Sequence, residues 1–144
     1  VKVAIGCDES ALELKNALIE VLKEKNIDYK DFGVFTKDPV DYPDIAALLV
    51  PEVANGNFDR GILVCGTGIG MAICANKFKG IRAAVCHDLY SAQRSILSND
   101  CQILCMGSLV IGVSLAKEIL KVWLDIERTG GTVKKVKKII ELEK

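Results

Sequence analysis

Apolar and polar positions along the chain switch between two periods, and the switching predicts strands separated by helices. Val1–Gly6 is a short apolar run ending in glycine, which reads as a buried strand. From Ser10 to Lys25, Leu12, Leu14, Ala17, Leu18, Val21 and Leu22 fall along one helical stripe. A second strand is expected over Ile27–Val34, before a turn-rich stretch at 36–43 in which Pro39 and Pro43 oppose regular hydrogen bonding. Asp44–Ala54 resumes a helical pattern, with Pro51 predicting a kink or a break between two pieces. Arg60–Cys65 is an apolar run of the kind that central parallel strands show, and the loop Gly66–Gly70 leads from it to a helix over Met71–Lys77. A fourth strand, Ile81–Cys86, precedes His87-Asp88 and a helix to about Leu97. A fifth, Gln102–Met106, precedes Gly107 and a helix over Ser114–Ile126. After Gly130-Gly131, Val133, Val136, Ile139, Ile140 and Leu142 are spaced among lysines as in an amphipathic helix, which packs on its own domain or on a partner subunit.

This order predicts the α/β class: a Rossmann-like three-layer sandwich, with a five-stranded parallel sheet, helices on both faces and a C-terminal helix. The chain has 144 residues, half of them hydrophobic, and shows no repeat and no long linker, so residues 1–144 are expected to form one domain. Lysine plus arginine and aspartate plus glutamate balance at 19 each, leaving no global field to favour nucleic acid or an anionic membrane. No run approaches the roughly 18–20 apolar residues that span a bilayer, and a cytoplasmic protein is expected. The six cysteines form no C-x-x-C pair and, with a single histidine, lack zinc-ligand spacing. Free thiols are expected, with no metal, no cofactor and no resolving cysteine for redox chemistry at Cys65.

In open parallel sheets, ligands collect beyond the carboxyl ends of the strands. Cys7-Asp8-Glu9, Cys65–Gly70, His87-Asp88 and the Gly107 region are expected there. The loop Gly66-Thr67-Gly68-Ile69-Gly70 lets backbone approach a ligand closely, and its amides can converge on an oxyanion. It has neither the lysine with serine or threonine of a Walker loop nor G-x-G-x-x-G spacing, which argues against nucleotide binding. At a strand end before a helix, Cys65 is placed for its thiolate to be favoured and to remove a carbon-bound proton; the competing reading is a small buried hydrophobe. Asp8 reads as a ligand contact or a helix cap. His87 reads as a catalytic imidazole or a helix N-terminal contact.

At these residues the sequence resembles the type B ribose-5-phosphate isomerase and galactose-6-phosphate isomerase family along nearly its whole length. The resemblance is carried by Cys65-Gly66-Thr67-Gly68-Ile69-Gly70-Met71 with Ala75-Asn76-Lys77, and supported by Gly6-Cys7-Asp8, Asp41-Tyr42-Pro43, Gly80–Ala83, Ser91-Ala92, Asn99-Asp100, Val110–Gly112 and Gly130-Gly131. It implies a homodimer or homotetramer with a cofactor-free site near the subunit interface, interconverting an aldose and a ketose through an enediolate. Cys65 would move the proton between C1 and C2, and Thr67 with Gly66, Gly68, Ile69 and Gly70 would hold the oxyanion. Asp8, Glu9, Tyr42, Ser98 and Asn99 would contact the sugar or sugar phosphate.

The chain departs from the family pattern at four positions. Glu9 stands where the family commonly has histidine, Ser98 replaces the histidine that opens the furanose ring, and Leu109 and Thr132 replace arginines associated with the phosphate. Lys134, Lys135, Lys137 and Lys138 are candidate substitutes lacking arginine's bidentate fork, but they read more readily as the solvated face of an amphipathic helix, and the alternative is a substrate without that phosphate. These departures point to altered specificity, such as an acyclic four-carbon sugar phosphate. The alternative is a non-catalytic sugar-phosphate-binding or partner subunit of a heteromeric isomerase.

Overall fold

The computed structural model describes residues 1–143. Five parallel strands, β1 (Lys2–Cys7), β2 (Asp28–Asp31), β3 (Arg60–Cys65), β4 (Ala83–Val85) and β5 (Ile103–Gly107), form one sheet in the order β2-β1-β3-β5-β4. Alternate side chains leave each strand on opposite faces. Val3, Ile5 and Cys7 of β1, Ile62 and Val64 of β3, and Leu104 and Met106 of β5 meet α1 (Leu12–Glu24), α4 (Leu89–Leu97) and α5 (Val113–Asp125). Ala4, Leu63, Cys65, Ile103 and Cys105 meet α2 (Tyr42–Ala54) and α3 (Ile69–Ala75) on the other face. Both faces are covered, which is why the central strands read as unbroken apolar runs. A final helix, α6 (Val133–Glu141), buries Val136. The predicted three-layer architecture is the one observed.

Two local expectations change. Helix α2 continues through Pro51 to Ala54 without a break. Proline there removes a single intrahelical donor near the helix end, while Ile45, Ala46, Leu49, Val50 and Val53 hold the whole length against the sheet. In α1 the apolar stripe includes a cation: Lys15 is fully buried. Its Nζ lies 2.8 Å and 2.9 Å from the Asp31 carboxylate oxygens, donates to the Val34 carbonyl and sits over the Phe35 ring. The pair ties α1 to the chain leaving β2, which backbone bonds hold to the end of β1: the Cys7 N–H donates to the Gly33 carbonyl and the Val34 N–H to the Cys7 carbonyl.

At the opposite, amino-terminal edge of the sheet, Asp100 organises the chain between α4 and β5. Its carboxylate receives Arg128 Nε at 2.7 Å and Arg82 Nη2 at 3.3 Å, while Arg82 Nε donates to the Asn99 and Asp100 carbonyls. The Thr132 N–H donates to the Ser98 carbonyl, so the start of α6 is fastened to the end of α4. Removing a buried carboxylate leaves its guanidinium partners uncompensated. Asp100→Ala is therefore expected to cost about 3 kcal/mol, read as a lower urea midpoint at unchanged m-value.

Candidate active site

Strand β3 ends at Cys65, whose side chain points to the α2/α3 face and is 5% exposed. The chain then turns sharply, and the Gly68 N–H donates to Cys65 Sγ at 3.1 Å. Thr67 is exposed, its Oγ1 accepting the Ile69 N–H at 3.2 Å as α3 begins. This loop is bound to the turn after β5: the Ser108 N–H donates to the Cys65 carbonyl at 2.8 Å and the Leu109 N–H to the Gly66 carbonyl at 3.0 Å. The contact is backbone on backbone. A Cβ on Gly107 would lie 2.5 Å from Thr67 Cα, and one on Gly68 would lie 2.8 Å from the Met106 carbonyl carbon. Ser108 Oγ donates to the Ser10 carbonyl at 2.9 Å, which draws in the loop after β1.

These loops enclose an open cavity of about 460 Å³. Asp8, Ser10 and Tyr42 form one side, Cys65, Gly66, Thr67 and Gly70 the base, and Ile69, Ile73 and Leu109 the apolar rim. Asp8 is a cap: its Oδ1 accepts the Ser10 N–H and hydroxyl at the start of the turn Glu9–Ala11, and the residue also lines the cavity. Among the described residues that line the cavity there is no lysine or arginine. Donors there are amides and hydroxyls.

Of the six cysteines, Cys65 alone lines the cavity. Burial pushes the Cys7 and Cys86 thiols up to about 11 and Cys101 up to about 12. It also raises Cys105 well above the ordinary range, and Cys74 moves in the same direction. These five are thiols at neutral pH. Cys7 faces the α1 core and does not line the cavity.

The sequence-predicted residues fall into separate groups. Asp8, Tyr42, Cys65, Gly66, Thr67, Ile69 and Gly70 meet at the cavity, with Gly68 in the same loop holding the thiol. Glu9 lies in the adjoining cleft with Glu13 and Lys37, and accepts the Val40 N–H at 3.2 Å, tying down the loop that leads to Tyr42. Ser98 and Asn99 are elsewhere: they end α4, which runs back to the amino edge of the sheet, where Gln102 meets Gly61. Gly61 is four residues before Cys65, about 13 Å along the strand. Ser98 Oγ accepts Arg94 Nε at 2.8 Å. Ser10 and Ile73 line the cavity without having been singled out; the signal for Ile73 was its place one helical turn beyond Ile69. Among the described residues no group of three or more His, Cys, Asp or Glu side chains could hold a metal ion, and no helix is long and apolar enough to cross a membrane.

Known proteins match the chain in sequence and in fold. The sequence model of the family described as Ribose/Galactose Isomerase matches residues 3–139. "Ribose-5-P isomerase B" of Listeria innocua is 59% identical over 130 residues, covering 90% of this chain and 88% of that one. "D-erythrulose-4-phosphate isomerase" of Pectobacterium atrosepticum is 49% identical over 140 residues, covering 95% and 91%. The solved structure of Clostridium thermocellum ribose-5-phosphate isomerase B superimposes with a TM-score of 0.96 at 42% identity, covering 99% of this chain and 97% of that one.

The Tyr42 ring packs on Gly70 so closely that a Cβ there would lie 2.4 Å from Tyr42 Cε1. Gly70→Ala should push the exposed Tyr42 ring aside with a net stability change within about 1 kcal/mol, since alanine is favoured over glycine inside α3. The companion variant Gly70→Ala/Tyr42→Ala should show a favourable coupling energy in a double-mutant cycle of urea unfolding.

Proposed function

The chain belongs to the ribose/galactose isomerase family and is a sugar-phosphate isomerase of the aldose–ketose type; from that premise we propose that Cys65 is the base that moves a proton between C1 and C2 of an open-chain, four-carbon sugar phosphate. The Cys65 thiolate takes the proton from C2 of the aldose, the electron pair of that bond forms the enediolate, and the same thiol returns the proton to C1. A second proton passes between the two oxygens. The observation that carries the base assignment is that Cys65 alone of the six thiols lines the cavity, with the Gly68 amide on its sulfur. Thr67 and the amides at the start of α3 hold the developing oxyanion, a preorganised arrangement whose donors are each worth about 3 kcal/mol in comparable sites. Asp8 and Tyr42 contact hydroxyls from the opposite wall.

The substrate assignment rests on Ser98. Ring opening of a furanose needs an acid and a base at the ring oxygen. A serine whose oxygen already takes the Arg94 N–H is poorly suited to that work. A four-carbon aldose carrying phosphate on O4 has no free hydroxyl with which to close such a ring. The 49% identical relative named for D-erythrulose 4-phosphate supports this reading.

The complete site takes two copies of the chain. In one copy Ser98 and Asn99 lie with the start of α6 at the edge of the sheet away from Cys65, and Lys134 and Lys135 follow directly in α6. A second copy brings its Ser98, Asn99 and lysines over a cavity whose own lining holds no lysine or arginine, where the phosphate needs a cation. The apolar rim supports such a contact, since Ile69 and Ile73 are 56% and 57% exposed.

A panel of four-, five- and six-carbon sugars, with and without phosphate, tests the assignment through solvent-deuterium incorporation at C2 and product formation. Erythrose 4-phosphate and erythrulose 4-phosphate should exceed ribose 5-phosphate in kcat/KM by about tenfold or more, the scale on which one pocket contact discriminates. Cys65→Ala should lose about 10³-fold, in the range for a missing general base. Preference for ribose 5-phosphate would overturn the four-carbon reading, and a fully active Cys65→Ala variant would overturn the base. Turnover appearing only with a second, different chain would instead assign the partner-subunit role.

A further inference from the structure

His87, the chain's only histidine, lies at the carboxyl edge of the sheet but does not line the cavity. Its Nε2 accepts the Gly107 N–H at 2.8 Å. The bond stands where the β4–β5 ladder stops: the Cys86 N–H still donates to the Cys105 carbonyl, and two residues on along β5 the imidazole takes the amide. On its far side Gly107 abuts the Thr67 main chain, with no room for a Cβ, and Gly107 pairs in register with Cys65. The residues after it hold the Cys65 and Gly66 carbonyls.

From this geometry we infer that His87 is a positioning residue: its neutral imidazole pins Gly107, and through Gly107 sets the Cys65–Gly68 loop in the register that isomerisation requires. This rests on the reading of that loop as base and oxyanion site. With Nε2 accepting, the ring proton resides on Nδ1. A second proton, on Nε2, would set two N–H groups against each other and release Gly107. A loop displaced by even about 1 Å from its reacting geometry can cost about 10²-fold.

The pH dependence follows from the charges around the ring. Burial holds the His87 pKa below its ordinary value near 6.5, and Asp88, beside it in sequence, pulls it back upward. Asp88 is committed to capping α4, where it accepts the Ser91 N–H. The elements around the imidazole add little charge. Within their spans, β4 (Ala83–Val85) has no ionisable side chain, α3 (Ile69–Ala75) has the Cys74 thiol, and β5 (Ile103–Gly107) has Cys105. Strand β3 presents Cys65 across Gly107, and Cys86 directly precedes the ring. Helix α4 carries Tyr90 and Arg94, the latter engaged with Ser98 at the helix end. Because folding favours the neutral ring, both stability and loop register decline as pH falls below about 6.5 through the lowered folded value.

The test compares wild type with His87→Gln, whose amide oxygen can accept the same N–H without titrating, and with His87→Leu, which cannot accept it. All three are assayed well below their melting temperatures. At about pH 7.5, His87→Gln should keep at least half of wild-type kcat, and His87→Leu should lose about tenfold or more in kcat with a smaller change in KM. Dividing wild type by His87→Gln cancels the pH dependence that the two proteins share. That ratio should be flat above about pH 6.5 and fall, by up to about tenfold per pH unit, below the pKa of the single imidazole measured by proton NMR. The Gly107 amide resonance should titrate with the same midpoint. The NMR signals are read without substrate, so a failure here is distinguishable from a failure of the Cys65 assignment. A ratio flat down to about pH 5, a Gly107 amide insensitive to the imidazole, or His87→Gln as impaired as His87→Leu would each overturn the inference.

Discussion

The contact between the loop after β3 and the turn after β5 is made by main chain against main chain, and the candidate site depends on it. Two hydrogen bonds run from Ser108 and Leu109 to the carbonyls of Cys65 and Gly66, and Gly107 and Gly68 omit the side chains that would hold the two segments apart. With its carbonyls taken by the neighbouring turn, the loop directs the Gly68 amide to the thiol and the Ile69 amide to Thr67 Oγ1. A parallel sheet supplies this arrangement readily, because adjacent strands finish at the same edge with their last residues in register, as Cys65 and Gly107 do. The third strand end joins through Ser108 and Ser10. Cavity shape is thus set by backbone, which has fewer ways to relax than side chains have.

Much of this was legible in the sequence because the signals were local. Apolar runs gave the strands, the 3.6-residue stripe gave the helices, and a cysteine before a glycine-rich loop marked the strand–loop–helix junction. Properties that depend on what lies opposite were harder to read. Lys15 occupies a core position in a helix and reads as polar; its burial becomes tolerable only because Asp31 and the Val34 carbonyl come from the next strand and loop. Pro51 signals a break, yet the apolar face of α2 is held by the sheet on both sides of it. Asp8 was read as ligand contact or cap, and the structure shows the cap, with the residue at the cavity wall.

Ser98 and Asn99 are instructive because the information to place them was present. In a parallel sheet each helix returns the chain to the amino edge, so residues ending a helix are on the far side from residues ending a strand. A family match groups residues by role, whereas topology groups them by edge. Where the two disagree, the residues concerned belong to different copies of the chain or to different tasks. His87 is the complementary case: topology puts it at the Cys65 edge, yet its Nε2 accepts from the Gly107 backbone behind the loop and it does not line the cavity.

The charge distribution bears on chemistry as well as on assembly. Around Cys65 the cavity offers amides, hydroxyls and one carboxylate, with no cation in its lining among the described residues. An enediolate is a spread negative charge that exists only part-way through the reaction. Fixed neutral dipoles suit it better than a lysine, because a full positive charge would also attract the phosphate and the hydration shell of the ground state. The phosphate itself carries its charge throughout, gains nothing from preorganised dipoles specific to the transition state, and serves best as a remote handle whose binding energy positions C1 and C2. Placing cations on α6 and dipoles on the Cys65 loop keeps the two demands apart, and in this fold that separation means opposite edges of the sheet. In the two-copy arrangement proposed above, docking one edge against the other would bring handle and reacting centre together while each chain's own cavity lining stays free of lysine and arginine.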